Sequence, residues 1–321
     1  MDELLETTFL GIGLKNPLVV ASGVLGTSAS LMERAAREGA GAVTSKSTGS
    51  EAWAGHANPV TLAWGNSVIN AIGLTNPGCQ EELPILVETK RRLNALEVPL
   101  FASIFASTAM EFGEVARVIA QAEPDLIEVN ISCPNVASDF GEPFSANCAS
   151  AAAVTRSVRS AVSIPISIKL APNVPNLAQI AQAVVAEGAD AITAINTVPA
   201  MLIDAYASRP VLKNKTGGLS GAAIKPIALR AVWELAQAIS VPIIGTGGVA
   251  SGLDAAEMIM AGASLVGVGS AVVNGGPAVF RQIAQELSEF MQQEGALKKC
   301  AGRRCERQDG RQGFGRIDAG V

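Results

Sequence analysis

Short apolar segments alternate along the chain with longer segments in which apolar residues recur every three or four positions. The short segments are typical of strands buried on both faces, and the long ones of helices that bury one face. Strands are predicted over 16–22, 41–47, 99–105, 126–132, 165–171, 191–196, 242–247 and 265–270. Helices are predicted over 28–38, 81–96, 111–121, 148–162, 176–187, 224–239, 252–261 and 277–294. Eight strands in strict alternation with helices favour a (β/α)8 TIM barrel.

An N-terminal hairpin and three loops add to this barrel. A turn at Gly11, before the first strand, predicts an N-terminal hairpin across the bottom of the barrel. The connections 48–81 and 197–223 are long enough to predict functional loops over the face formed by the carboxyl ends of the strands. A third loop, 136–147, follows Cys133 closely and is expected to act as a lid.

Composition sets the class of protein. The chain has 321 residues, 49% apolar and 17% charged, with a net charge of −5, which indicates a soluble globular protein and argues against a nucleic-acid partner. No apolar run reaches about 18 residues, so no membrane span is expected. Five cysteines without disulfide-framework spacing fit a reducing cytoplasm. Trp53, Trp64 and Trp233 are interpreted as packing residues.

The carboxyl-terminal tail differs from the rest of the chain. Residues 297–321 carry seven Lys or Arg and three acids, with little periodicity. We therefore expect residues 1–296 to form a single barrel domain and residues 297–321 to be a basic, disordered tail. Cys300 and Cys305 lack a second pair of ligands nearby, so no metal site is predicted.

Polar residues or glycines follow nearly every predicted strand. Because the carboxyl ends of the strands meet at one face of such a barrel, these residues are expected to share one site. They are Ser22, Lys46, Ser47, Ser103, Asn130, Ile131, Ser132, Cys133, Lys169, Asn196, Thr197, Gly247, Gly248, Gly269 and Ser270.

Three features of this set indicate chemistry. Lys46 and Lys169 lie inside apolar strands, where a buried ammonium needs an anion nearby. The glycines after the last two strands, around Gly247 and Gly269, suit backbone binding of a phosphate. Cys133, which lies between two asparagines, is a candidate nucleophile or base. The alternative interpretation of Cys133 is a small free cysteine at the end of a buried strand.

Four motifs together resemble class 1 dihydroorotate dehydrogenases. They are Asn130-Ile-Ser-Cys-Pro-Asn, Asn70-Ala-Ile-Gly-Leu, Asn214-Lys-Thr-Gly-Gly-Leu-Ser-Gly and Gly245-Thr-Gly-Gly-Val. The similarity covers about residues 8–292. The third motif, together with Asn196 and Thr197, is similar to the class 1B catalytic subunit. The chain departs from the family at Ser103, where Asn is usual.

The resemblance assigns roles to the residues at the strand ends and in the loops. It implies an FMN bound by Ser22, Lys46, Ser47, Ser103, Asn130, Lys169, Ile195, Gly221, Gly247, Gly248, Gly269 and Ser270. It implies a substrate site formed by Lys46, Asn70, Ala71, Ile72, Gly73, Leu74, Asn130, Asn196 and Thr197. Cys133 and Lys169 would be the catalytic residues, with Cys133 as general base and Lys169 beside the flavin.

The activity implied by the resemblance is the FMN-dependent oxidation of (S)-dihydroorotate to orotate in pyrimidine biosynthesis. Cys133 would take a proton from C5 while a hydride passes from C6 to flavin N5. The implied assembly is a homodimer in the cytoplasm, flanked by a separate subunit that carries FAD and an iron–sulfur cluster.

Three alternatives to this function remain open from the residues. A related FMN barrel that acts on another pyrimidine, such as a dihydropyrimidine dehydrogenase, would share the fold and the cysteine. A flavin-free barrel lyase would instead use Lys169 as a Schiff base. The third alternative is a subunit that binds FMN without turnover.

Overall fold

The computed structural model of the chain describes residues 3–132 and 144–294. Cys133, residues 136–143 of the expected lid and the tail 297–321, with Cys300 and Cys305, lie outside the described residues.

A closed barrel of eight parallel strands forms the centre of the described chain, which confirms the predicted fold. Its strands, numbered here first to eighth, are Leu18–Val20, Ala42–Thr44, Leu100–Ile104, Leu126–Asn130, Ile166–Leu170, Ala191–Ala194, Ile243–Thr246 and Leu265–Val268. Strands pair in chain order, and the eighth pairs with the first. Almost every strand residue is buried, because helices cover the outside while side chains fill the inside.

The helices follow the strands as the apolar periodicity predicts. They are Ala29–Arg37, Cys79–Asn94, Ala109–Ile119, Cys148–Ala161, Leu177–Ala186, Lys225–Ala238, Gly252–Met260, Ala271–Gly275 and Val279–Glu294. Several begin at a polar cap: the side chains of Ser28, Thr108, Asn147, Asn176 and Ser251 each accept a hydrogen bond from a backbone N–H of the first turn. In residues 3–132 and 144–294, no helix combines the length and apolarity needed to cross a membrane.

The N-terminal hairpin closes the bottom of the barrel, as expected. Strand Thr7–Phe9 pairs with Ile12–Leu14, and Leu10 and Gly11 form the turn between them with positive φ angles. Phe9 packs against Phe101 from the third barrel strand, with ring centroids 6.5 Å apart. This apolar floor separates the amino-terminal ends of the strands from solvent, so the opposite end of the barrel is left for a ligand.

The two long loops pair with each other above the carboxyl ends of the strands. They form a four-stranded antiparallel sheet, which we call the mouth sheet, in the order Val198–Ala200, Gly217–Gly221, Ser67–Asn70 and Thr61–Trp64. The central register sets Gly218 opposite Asn70. A small hairpin of Ile203–Asp204 and Arg209–Pro210 extends from the same region.

The tryptophans do not fill the core. Trp53, Trp64 and Trp233 are 40%, 53% and 57% exposed, so their interpretation as packing residues is wrong. Trp64 lies on the outer strand of the mouth sheet, and Trp233 lies on the helix Lys225–Ala238.

Candidate active site

A cavity of about 270 Å³ lies at the carboxyl ends of the barrel strands, partly walled by the mouth sheet. We call it the mouth cavity. Most of the predicted site residues line it: Ser22, Lys46, Ser47, Asn70, Ile72, Gly73, Leu74, Asn130, Lys169, Ile195, Asn196, Thr197, Gly221, Gly247, Gly248, Gly269 and Ser270. The fold therefore brings together residues that are up to about 250 positions apart in the chain.

Among the described residues to which the resemblance assigns a role, Ala71 and Ser103 are not among those that line the mouth cavity. The side chain of Ala71 is buried against Ile69 and Leu212. The backbone N–H of Ala71 donates to Val60 O, and its carbonyl oxygen lies 3.1 Å from His56 Nδ1. Ser103 is buried one layer below the cavity and bonds to other side chains of the barrel. The contacts of Ala71 with substrate and of Ser103 with cofactor stay predictions; in this structure both side chains are held by other protein groups.

A row of buried polar groups runs from the cavity lining into the barrel interior. The Ser47 and Ser103 hydroxyl oxygens are 2.8 Å apart, and Ser103 Oγ donates to Glu128 Oε1 at 3.1 Å. Lys169 Nζ contacts the same carboxylate oxygen at 3.3 Å. Glu128 is therefore the anion that the sequence led us to expect near Lys169. Its own role was missed, although an acid in the middle of the apolar segment Leu126–Asn130 was a visible signal.

Lys46 lies close enough to a buried acid, Glu82, for their charges to interact. Glu82, in the first turn of the helix Cys79–Asn94, is only 2% exposed. Burial raises the pKa of Glu82 to about 7, and the positive charge of Lys46 opposes that rise in pKa. Glu82 was not identified from the sequence, because an acid near the start of a helix is usually a solvated residue.

Asn76 braces the loop that carries the Asn70-Ala-Ile-Gly-Leu motif. Its side-chain oxygen accepts hydrogen bonds from Thr48 Oγ1, Gly49 N and Gly78 N at 3.1, 3.1 and 2.9 Å. Its amide group donates to Leu74 O at 2.8 Å. The start and end of the loop are thereby tied together, which holds the segment between them against the cavity.

Three asparagines present amide groups at the mouth cavity. Asn130 Oδ1 accepts from Ser132 Oγ at 3.0 Å, and Asn196 Nδ2 donates to the same hydroxyl at 2.9 Å. Asn70 Nδ2 donates to Gly218 O across the mouth sheet at 3.4 Å. Buried Ser132, the last described residue before Cys133, therefore links two of the three amides.

Glycines form the part of the cavity next to the seventh and eighth strands. Gly247 and Gly248 have φ angles of +139° and +78°, which side chains other than glycine rarely tolerate. A Cβ on Gly248 would lie 2.6 Å from Lys225 Cβ. Lys225 is itself fixed by Asp254 and Glu257, at 2.6 and 2.7 Å. The result is a bare backbone turn on a rigid support, the type of surface that binds phosphate through N–H groups.

These features define a class of protein: a barrel enzyme that can hold a phosphate-bearing cofactor next to a small, polar, anionic ligand. The glycine turn suits the phosphate, the two lysines suit negative charge, and the asparagines suit amide and carboxylate edges.

Comparison with known proteins gives the family. Residues 4–291 match the family model described as dihydroorotate dehydrogenase. Proteins named dihydroorotate dehydrogenase B (NAD(+)), catalytic subunit, are similar over most of the chain. The protein of Methanocaldococcus jannaschii is 44% identical over 91% of this chain and 94% of its own length. Those of Methanosarcina mazei and Pyrococcus abyssi are 44% and 41% identical, over 92% and 91% of this chain and 93% and 95% of their own lengths.

The chain belongs to the dihydroorotate dehydrogenase family. This confirms the predictions of an oxidoreductase, of dihydroorotate oxidation in pyrimidine biosynthesis, and of FMN as cofactor. The described residues fit FMN, since the glycine turn is free of side chains and Lys169 supplies a buried cation. The flavin-free lyase is therefore disfavoured, whereas the roles of individual residues stay predictions.

Proposed function

We propose that this chain is the catalytic subunit of a B-type dihydroorotate dehydrogenase, with residues 1–296 as one FMN-binding barrel domain. The observation that carries the proposal is the composition of the mouth cavity, around which two lysines, three asparagines and a glycine turn converge. These residues offer binding partners of suitable charge to a phosphate-bearing cofactor and to an acidic pyrimidine.

Four residues at the ends of the last two strands would hold the cofactor phosphate: Gly247, Gly248, Gly269 and Ser270. Lys169 would offer its positive charge to the flavin, where negative charge develops on reduction. When bound, FMN supplies the two-electron acceptor for the oxidation of the substrate.

Lys46 would bind the substrate carboxylate, and Asn70, Asn130 and Asn196 would bind its carbonyl and N–H groups. An asparagine side chain both donates and accepts, so it matches the alternating groups at the edge of a pyrimidine ring. Each of these amides also has a protein partner that fixes its orientation. A substrate without the carboxylate would leave the Lys46 charge without its ligand, which favours dihydroorotate over a neutral dihydropyrimidine.

Cys133 would remove the proton from C5 of the substrate. Ser132, the preceding residue, is fully buried and bonds to both Asn130 and Asn196. The residue before Cys133 is therefore anchored to two residues of the substrate site, which supports the assignment of Cys133 as the base.

The relatives are named as catalytic subunits, which implies a partner subunit for electron transfer. We propose that this partner carries FAD and an iron–sulfur cluster, that it passes electrons to NAD⁺, and that the assembly is cytoplasmic. The described part of the chain holds no group of three or more His, Cys, Asp or Glu residues suited to a metal.

We also propose that the chain forms a homodimer through the outer side of the mouth sheet and the neighbouring hairpin. Five large apolar side chains are exposed there: Leu62, Trp64, Met201, Ile203 and Tyr206. Exposed apolar residues grouped in one region mark protein interfaces more often than free surface.

The test of the function is an anaerobic titration of the purified chain. Flavin absorbance should be present on purification and should bleach with (S)-dihydroorotate, while dihydrouracil, which lacks the carboxylate, should leave it unchanged. NAD⁺ reduction should require addition of the partner subunit. A chain that binds FMN but is bleached equally by both compounds would contradict the proposed substrate.

A further inference from the structure

Glu128 and Lys169 form an ion pair inside the barrel. The two side chains are only 5% and 6% exposed, and Lys169 Nζ lies 3.3 Å from Glu128 Oε1. Glu128 lies on the fourth barrel strand and Lys169 on the fifth. The residues paired with Lys169 are Asn130 on the fourth strand and Thr193 on the sixth. Both neighbours are uncharged, and Thr193 bonds to Ser167. Lys46 is the other cation among the described cavity residues.

The carboxylate of Glu128 is also the last acceptor in a chain of hydrogen bonds, in which each hydroxyl donates toward Glu128. Ser103 Oγ donates to Glu128, so its oxygen is left to accept from Ser47, 2.8 Å away. The Ser47 hydroxyl proton then lies in the bond to Ser103, so the Ser47 oxygen accepts a hydrogen bond from Asn130 Nδ2 at 3.3 Å. The Asn130 oxygen is accordingly directed at Ser132, whose N–H and hydroxyl both donate to it.

We propose that Glu128 is a positioning residue, which keeps Lys169 in its ammonium form and, through Ser103 and Ser47, fixes the orientation of the Asn130 amide at the mouth cavity. An ionised carboxylate has no proton to donate, so it sets the direction of every hydrogen bond in the row. It also compensates a cation that would be costly to bury alone. The inference rests on the proposed function to the extent that Lys169 faces a bound flavin.

The decisive variant is Glu128→Gln, which keeps the size of the side chain and removes its charge. If the Glu128 carboxylate holds Lys169 as an ammonium ion, as proposed from their 3.3 Å contact, wild-type Lys169 takes up no proton when the flavin is reduced. In the variant, burial without a counter-charge favours the neutral amine until reduction places negative charge beside it. Lys169 then takes up a proton together with the two electrons.

The measurement is the midpoint potential of FMN bound to the full-length protein, as a function of pH, with a chemical reductant and a reference dye. One extra proton per two electrons should make the potential of Glu128→Gln fall by a further ~30 mV per pH unit relative to the wild type. The double variant Glu128→Gln, Lys169→Met should show the slope of Lys169→Met alone. Ser103→Ala, which keeps both charges, is the matched control and should keep the wild-type slope.

A Glu128→Gln protein with wild-type FMN content and the wild-type slope would overturn the proposal. A second measurement decides the question if this variant holds FMN weakly. Dissociation constants of FMN, from the quenching of its fluorescence, should show that Glu128→Gln costs less affinity when added to Lys169→Met than when added to the wild type, because one of the two routes by which the acid acts is already lost. Losses that multiply would contradict that coupling. Neither measurement uses dihydroorotate. If the substrate assignment is wrong, the bleaching experiment shows it, and the results of these two measurements are unaffected.

Discussion

Replacing Glu82 with Gln is expected to stabilise the protein at alkaline pH. The Glu82 carboxyl is buried, and its Oε1 atom has no hydrogen-bond partner within the described structure. Burial raises its pKa from 4.5 to about 7 despite the opposing charge of Lys46. Above pH 7 the folded protein therefore carries a buried carboxylate that the unfolded chain exposes to water.

The magnitude follows from the shift in the pKa. At about 1.4 kcal/mol per pKa unit, holding Glu82 ionised costs about 3 kcal/mol at high pH. Between pH 4.5 and about 7 the unfolded chain has released this proton while the folded protein retains it. The folded state binds more protons in that window, so stability falls as pH rises through it and is level above it.

Gln has the same shape without the charge, but its amide also needs partners, so we expect about 1 to 3 kcal/mol of stabilisation at pH 8. For a chain of this length that is roughly 2 to 6 °C in the unfolding midpoint. The assay is thermal unfolding followed by circular dichroism at several pH values from 4 to 9. Glu81→Gln, an exposed neighbour in the same helix, is the control and should change little.

The pH profile is the sharper part of this test. Wild type and Glu82→Gln should unfold at similar temperatures near pH 4, and the difference should grow up to about pH 7 and then stay constant. A difference that does not depend on pH, or a less stable variant at pH 8, would refute the reasoning.

Three further predictions concern the site and the assembly. Cys133→Ser should keep FMN but slow its reduction by dihydroorotate by about 10²-fold or more, as for a lost general base, and a near-normal rate in stopped flow would exclude that role. Lys46→Ala should raise the KM for dihydroorotate by about 10- to 100-fold and should lower FMN content less than Gly248→Ala does. At Gly248 the φ of +78° and the nearby Lys225 leave no room for a Cβ, so that variant should lose FMN. Ile203→Glu should shift the dimer toward monomer in light scattering, whereas Trp233→Glu, a similarly exposed position on an outer helix, should not.

The barrel could be predicted because its strands follow the simplest sequence pattern, an apolar run with a polar end. The strand ends also indicated most of the residues that line the mouth cavity, since the topology of a barrel places them together. In the second strand, for example, the change from Val43 and Thr44 to Lys46 and Ser47 marks the point where the apolar strand meets the cavity.

The features that were missed depend on partners distant in the chain. The mouth sheet is not predicted because its central pairing, between Ser67–Asn70 and Gly217–Gly221, joins two loops that are far apart in the chain. Glu128 and Ser103 belong to the cavity support only because the pairing of the third, fourth and fifth strands places them beside Lys169. The burial of Glu82 likewise depends on how its helix packs, which its local sequence does not reveal.

The pairing of the two loops also has a consequence for how the protein is made. Asn70 and Gly218 O, joined by a hydrogen bond, are 148 residues apart, so the mouth sheet cannot form until most of the chain has been synthesised. A fragment that ends before Gly217–Gly221 would contain Lys46, Asn70 and Asn130 but would lack the strand that aligns the substrate loop. Ligand binding is therefore acquired late in folding, and nascent or truncated chains should have a partly built barrel that takes up neither cofactor nor substrate.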